Sequence, residues 1–223
     1  MQQPVHQKLT IAFILLTAID LTGIFTGFSP LHYTAKPLLI PVLMLLLFFT
    51  ATPVTGKKLL FFALFFSWMG DVLLLVEQLD PLFFIFGLAC FLTTHICYII
   101  FFLSIRSPNP SLLFRQPVLL FLIPAYGLAL VCFLYPNLGA LKLPVILYAT
   151  VICIMLLCSI HVFFKINSPA NRFYVWGASA FVLSDSLLAI NKFYQPFAFA
   201  GMLIMITYCA AQYFIVRGFM DQE

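Results

Sequence analysis

The chain has 223 residues, of which 64% are hydrophobic and 8% charged, with a formal net charge of +4 at pH 7 and a mean hydropathy of +1.11. A soluble domain carries about 25% charged residues, so this composition excludes one and describes a multipass membrane protein. No stretch interleaves basic and aromatic residues on an exposed surface, so the expected surroundings are the lipid bilayer, with no nucleic-acid partner.

A spanning helix needs about 20 mostly apolar residues. Eight such runs fit the chain, near 9–28, 37–52, 58–76, 81–103, 117–135, 143–164, 172–190 and 196–216. The gaps hold turn residues such as Ser29-Pro30, Thr52-Pro53, Pro136-Asn137 and Gln195-Pro196,. The expected fold class is therefore all-α: a polytopic membrane protein, one domain over 1–223, built as a bundle of eight transmembrane helices.

The first run begins at Leu9 after a head with a single lysine and holds Asp20. It lacks a small-x-small cleavage site and reads as a span, not a removed signal peptide. Thr17 and Gly27 share the face of Asp20. Lys36, opening the second run, is the expected partner of Asp20, or else meets a lipid phosphate by snorkelling. Pro41 and Pro124 lie inside apolar runs, which is tolerated where neighbouring helices satisfy the freed carbonyls.

The third run contains Ser67-Trp68-Met69-Gly70-Asp71-Val72-Leu73-Leu74, and the seventh contains Val182-Leu183-Ser184-Asp185-Ser186-Leu187-Leu188. An ionised Asp at the centre of a membrane helix costs at least about 2.5 kcal/mol on insertion scales, so both carboxylates are candidates for a function. Each follows a basic residue (Lys58, Arg172) by 13 positions, roughly 20 Å along a helix. The two runs also point the same way through the membrane. Two carboxylates meeting in a dry site do not both ionise comfortably, which yields an acid beside a base. The competing reading is a lone Asp bonded to a backbone carbonyl or hydroxyl.

On the fourth run His95 and Tyr98 are three apart, hence on one face. Depth bookkeeping puts His95 roughly 20 Å from the outer edge and Asp71 roughly 10 Å. They touch only if the fourth span begins beyond Pro81 or a helix tilts, and a core-satisfied histidine is the alternative. On the eighth run Tyr208 and Gln212 are four apart, with Gly201 on the same stripe. His6, His32 and His161 lie at ends or interfaces and are assigned no chemistry. Only His95 lies well inside a span, so no three-histidine metal site is expected, and no cofactor motif is present. The six cysteines lack metal spacing and read as small buried hydrophobes,.

Lys8, Lys57, Lys58, Arg106, Arg115, Lys165, Arg172 and Arg217 fall on one side, and Lys36, Lys142 and Lys192 on the other. The positive-inside rule then places both termini in the cytoplasm. A shift of 114 residues pairs Asp71 with Asp185, Phe83 with Phe197, Gly87 with Gly201 and Thr93 with Thr207, an echo consistent with a weak repeat of four plus four helices.

The motifs in order are Lys36-Pro37-Leu38, Gly70-Asp71-x-Leu73 and Gly87-x-x-x-Phe91-x-x-x-His95-x-x-Tyr98. They continue as Gly177-Ala178-x-x-Phe181-x-x-Ser184-Asp185 and Tyr208-x-Ala210-Ala211-Gln212. Together they resemble the lysoplasmalogenase (YhhN-like) family of integral membrane proteins, and Tyr148 in the sixth run fits that pattern. The resemblance implies an eight-span enzyme, in the cell membrane or a bacterial inner membrane. Its reaction would hydrolyse the vinyl ether bond of lysoplasmalogens to a fatty aldehyde and a glycerophospho-ethanolamine or -choline. The substrate is then a lysophospholipid, with Asp71 and Asp185 catalytic. Tyr98, Tyr148, Tyr208, Gln212 and His95 would position the pair or the glycerol, and Lys36 would receive the phosphate. A non-enzymatic alternative is a small transporter or lipid-binding protein that relays protons through its intramembrane acids.

Overall fold

The computed structural model describes residues 2–50 and 56–222. Among them eight helices are long and apolar enough to cross a membrane: Pro4–Thr26, Ser29–Phe49, Lys57–Leu75, Pro81–Ser104, Leu119–Asn137, Gly139–Lys165, Ala170–Tyr194 and Ala200–Met220. The chain is a multipass membrane protein, and these helices are numbered below as spans one to eight. Large apolar side chains such as Phe62, Phe121 and Leu143 are exposed, as expected where the solvent is hydrocarbon.

The second span differs most from its sequence expectation. It starts at Ser29, eight residues before the expected edge, because Pro30 sits in the first turn, where its missing N–H is no loss,. Lys36 thus lies two turns inside the helix instead of at its mouth. Residues 51 and 52 of the expected span, and the Thr52-Pro53 turn, fall outside the described residues. The eighth span starts at Ala200, not 196, after Phe199 adopts φ 61°. The seventh span runs on from its α-helix Ala170–Ala189 into a π-helical turn, Ile190–Tyr194.

Two compact units divide the chain at Phe101/Phe102, within the fourth span. In the first unit, spans one and two form a hairpin. A Cβ at Gly23 would lie 2.7 Å from the His32 backbone nitrogen, so only glycine allows this approach. Spans two and three are tied by the Trp68 indole, whose Nε1 donates to the Pro37 carbonyl at 2.9 Å. That carbonyl is the one Pro41 leaves without its helical donor, so the neighbouring helix satisfies it. Lys57 Nζ donates to the Phe48 and Thr50 carbonyls at 3.0 and 2.7 Å, closing the C-terminal end of the second span. Span four packs on span three through small residues: Phe91 covers Gly70, Gly87 faces Leu74, and Thr94 Oγ1 donates to the Ala63 carbonyl at 3.1 Å.

In the second unit, spans seven and eight pack along a stripe. A Cβ at Gly177 would meet Ile215 at 2.7 Å and the Ala211 carbonyl at 3.0 Å. Phe181 meets Tyr208 edge-on, with centroids 5.9 Å apart, and Ser184 Oγ donates to the Ile204 carbonyl at 3.1 Å. Spans five and six meet where Gly127 faces Cys153 Sγ. Asn109 and Asn171 donate side-chain amides to the Phe164 and Phe163 carbonyls, both at 3.0 Å, satisfying the end of the sixth span. A short turn of helix, Leu112–Arg115, is capped by Ser111. All six cysteines are free thiols; Cys153, Cys158 and Cys209 are buried as expected, whereas Cys90 and Cys97 are half-buried and Cys132 is exposed, contrary to the expectation.

Candidate functional site

The periodicity of the seventh span sets Asp185 apart from its motif. Gly177, Phe181 and Ser184 recur at helical spacing on the face that packs against the eighth span. Val182, Asp185, Ser186 and Ala189 occupy the next face, which lines a cleft with spans five and six. The motif Gly177…Ser184 is thus a packing stripe, and the carboxylate that follows it points elsewhere.

Within the cleft the half-buried Asp185 accepts a hydrogen bond from the Tyr148 phenol, Oη to Oδ2, at 2.6 Å. The distance is in the range of strong O–H donors to carboxylates. One residue along, Ser186 Oγ accepts from the Tyr126 phenol at 2.8 Å and donates to the Val182 carbonyl at 2.6 Å. The cleft is small, with about 50 Å³ of free volume, room for a few waters and well short of a drug-sized ligand. Apart from these two pairs its walls are apolar, chiefly Leu130, Val131, Leu134, Val145, Ile152 and Cys153. The arrangement offers an acceptor carboxylate held by a phenol at the wall of a hydrocarbon pocket. On the eighth span, Gln212 Nε2 donates to Tyr208 Oη at 3.3 Å, and both side chains are buried.

In the first unit, Asp71 is 2% exposed, and His95 and Tyr98 are fully buried. Asp71 lies about 20 Å along its helix from Lys57, as Asp185 does from Ala170, using the helical rise. Gly70, beside it, is covered by the Phe91 ring, one turn before His95 on the fourth span. Lys36 is 9% exposed.

The expected Asp20–Lys36 pair is replaced by another. Asp20, fully buried, meets His32 with Oδ1 to Nδ1 at 2.7 Å. Lengthening the second span by two turns explains this, since it brings His32 into the helix facing the first span. Asp20 Oδ2 has no partner among the described residues. Among those residues, no three His, Cys, Asp or Glu side chains gather to hold a metal ion.

The structure therefore joins Tyr148 with Asp185, and Tyr208 with Gln212. It adds Tyr126, Ser186 and His32, which sequence reasoning passed over. Ser186 could have been flagged as a polar residue adjoining Asp185. Tyr126 carried no signal, because a tyrosine in an apolar helix resembles an interface anchor.

A family model described as the YhhN family matches residues 31–219. A protein named Lysoplasmalogenase TMEM86B from Sus scrofa is 33% identical over 178 residues, covering 79% of this chain and 70% of that protein. The protein of the same name from Homo sapiens is 35% identical over 179 residues, with the same coverage of 79% and 70%. Lysoplasmalogenase TMEM86A from Bos taurus is 30% identical over 168 residues, covering 74% and 66%. No solved structure matches the chain.

Proposed function

The chain belongs to the YhhN family, and from that membership we propose that it is a lysoplasmalogenase, an intramembrane hydrolase acting on the vinyl ether bond of lysophospholipids. Its relatives, which are lysoplasmalogenases by name, support the substrate class. The observation that carries the site is the Tyr148–Asp185 hydrogen bond at the wall of the second unit's cleft.

The chemistry needs a positioned proton donor and a nearby negative charge. Protonation of the vinyl ether's β carbon turns the C=C–O unit into an oxocarbenium ion. Water adds to that cation at the carbon bearing oxygen and loses a proton to a base. The resulting hemiacetal collapses to a fatty aldehyde and releases the glycerol hydroxyl of a glycerophospho-ethanolamine or -choline. No electrons are exchanged with a redox partner.

In this reading Asp71 and Asp185 divide the proton chemistry. Asp185, holding the Tyr148 hydrogen, acts as the carboxylate that stabilises the cation and takes the water proton. Asp71, the more deeply buried acid, donates the first proton. Tyr98, His95, Tyr208 and Gln212 position these groups or the glycerol, and Lys36 receives the phosphate. The membrane is the cell membrane, or the inner membrane in a bacterial host.

The test supplies purified protein in lipid nanodiscs with a 1-alkenyl lysolipid and measures released aldehyde. Wild type is expected to release aldehyde with stoichiometric lysolipid loss. The Asp71→Asn and Asp185→Asn variants should each lose at least a hundredfold in kcat, the scale of a general acid or base. Full turnover by both variants would remove the aspartates from the mechanism.

A further inference from the structure

Outside the cleft, the lipid-facing side of spans five and six carries a groove with about 200 Å³ of free volume. Ile146, Thr150, Ile154 and Leu157 wall it from span six, and Pro124 and Leu128 from span five. Leu128 and Ile154 are 65% and 42% exposed, so the groove opens to hydrocarbon. The span-six residues recur every three or four positions, and His161 and Lys165 continue that stripe past Leu157 to the end of the span,.

At that end basic side chains gather. Lys165 Nζ donates to His161 Nε2 at 2.8 Å, which leaves two of an ammonium's three N–H donors for an anion. The Arg115 guanidinium lies 4.7 Å from the centroid of the Phe164 ring, and a stacked guanidinium keeps its N–H edge for a phosphate. Arg115 closes the short helix capped by Ser111, and Asn109 donates to the Phe164 carbonyl at 3.0 Å. Both sides of the stacked contact are thus fixed before any ligand arrives. The described acids of the second unit are engaged elsewhere: Asp185 lines the cleft, and Asp221 accepts from Arg217 at 2.9 Å.

We propose that this corner binds a membrane phospholipid of net negative charge, its phosphate held by Arg115 and Lys165 and one acyl chain lying in the groove between spans five and six. Two cations with no free carboxylate beside them favour an anionic headgroup over a zwitterion, whose ammonium would meet no acid. A free phosphate would use the corner alone. A lipid engages the corner and the groove together, so the second contact forms at high effective concentration. The excess of basic residues on this side places the corner at the cytoplasmic leaflet, where anionic lipids gather. A lipid seated there bridges spans five and six, and the site is independent of the reaction at the aspartates.

Native mass spectrometry of the full chain in detergent, titrated with phosphatidylglycerol or with phosphatidylcholine of the same acyl chains, reads the site. Wild type should retain phosphatidylglycerol about tenfold more tightly and gain thermal stability from it. Arg115→Gln and Lys165→Gln should each weaken that binding about fivefold, the weight of one basic side chain at an anionic membrane surface. Thr150→Trp, which fills the groove, should weaken phosphatidylglycerol by a comparable factor. Lys58→Gln, at a basic position in the first unit, should bind as wild type does. Inorganic phosphate is the third ligand, and at millimolar concentration it should give no matching gain in thermal stability. Equal retention of the two lipids, or unchanged phosphatidylglycerol binding in both charge variants, overturns the proposal. So does phosphate stabilising the protein as well as the lipid does, which would make the corner an anion site with no place for a chain. If Thr150→Trp does not fold, the two charge variants decide the matter.

Discussion

At Asp185 the carboxylate accepts the Tyr148 phenol and borders an open cleft, whereas Asp20 is sealed against His32. Both are acids in apolar helices, and both looked equally out of place by insertion cost alone. Their partners separate them: one presents a hydrogen-bonded carboxylate to a small apolar cleft, and the other closes a helical hairpin. Tyr148→Phe tests the first case with a near-isosteric change. It removes a hydrogen bond to a charged group, worth about 1.5–3 kcal/mol, so kcat for aldehyde release should fall roughly tenfold to a hundredfold. KM should change little, because the phenol positions Asp185 and does not bind the lipid. Unchanged kcat would leave Tyr148 a packing residue. Family resemblance placed Tyr148 among the site residues, but its pairing with Asp185 came only with the fold, since residues 37 positions apart in sequence share no helix period.

Among the elements, the second span shows how a proline pair is accommodated. Pro41 deprives the Pro37 carbonyl of its helical donor, and Trp68 supplies one from the third span. Trp68→Phe should therefore cost about 1 kcal/mol, read as thermal unfolding in detergent. In a Pro41→Ala background, residue 41 regains its N–H and can serve the same carbonyl. The cost of Trp68→Phe should then largely vanish, leaving a coupling of about 1 kcal/mol in the double-mutant cycle. Additive losses would mean that the indole acts through packing alone. The general rule that neighbours rescue freed carbonyls was readable from Pro41, but not which neighbour would do so. The span's early start was also legible in principle, because Pro30 favours a first helical turn. Apolar patterning alone missed it because His32, Thr34 and Lys36 interrupt the apolar run before Pro37.

For the whole molecule, the basic residues make a topology that cells can test. Leu79, 80% exposed in the turn after the third span, is flanked by Glu77 and Asp80. Pro108, after the fourth span, is flanked by Arg106 and Arg115. The charge bias predicts that a membrane-impermeant maleimide labels a Leu79→Cys variant in intact cells, and a Pro108→Cys variant only after permeabilisation. The reverse pattern would invert the orientation and place both termini outside.

Eight spans, a membrane location and three out-of-place aspartates follow from composition and hydropathy, because the bilayer imposes helix length and penalises charge whatever the packing. The resemblance motifs also stood in the sequence, though not their division of labour. Only the tertiary structure decided that Gly177, Phe181 and Ser184 pack on the eighth span while Asp185 turns to Tyr148, that Tyr126 holds Ser186, and that Asp20 belongs to His32. Those outcomes depend on helix rotation and on which neighbour fills each gap. In hydrocarbon these are set by close contacts of small residues and by donors from other helices, and hydropathy carries no record of either.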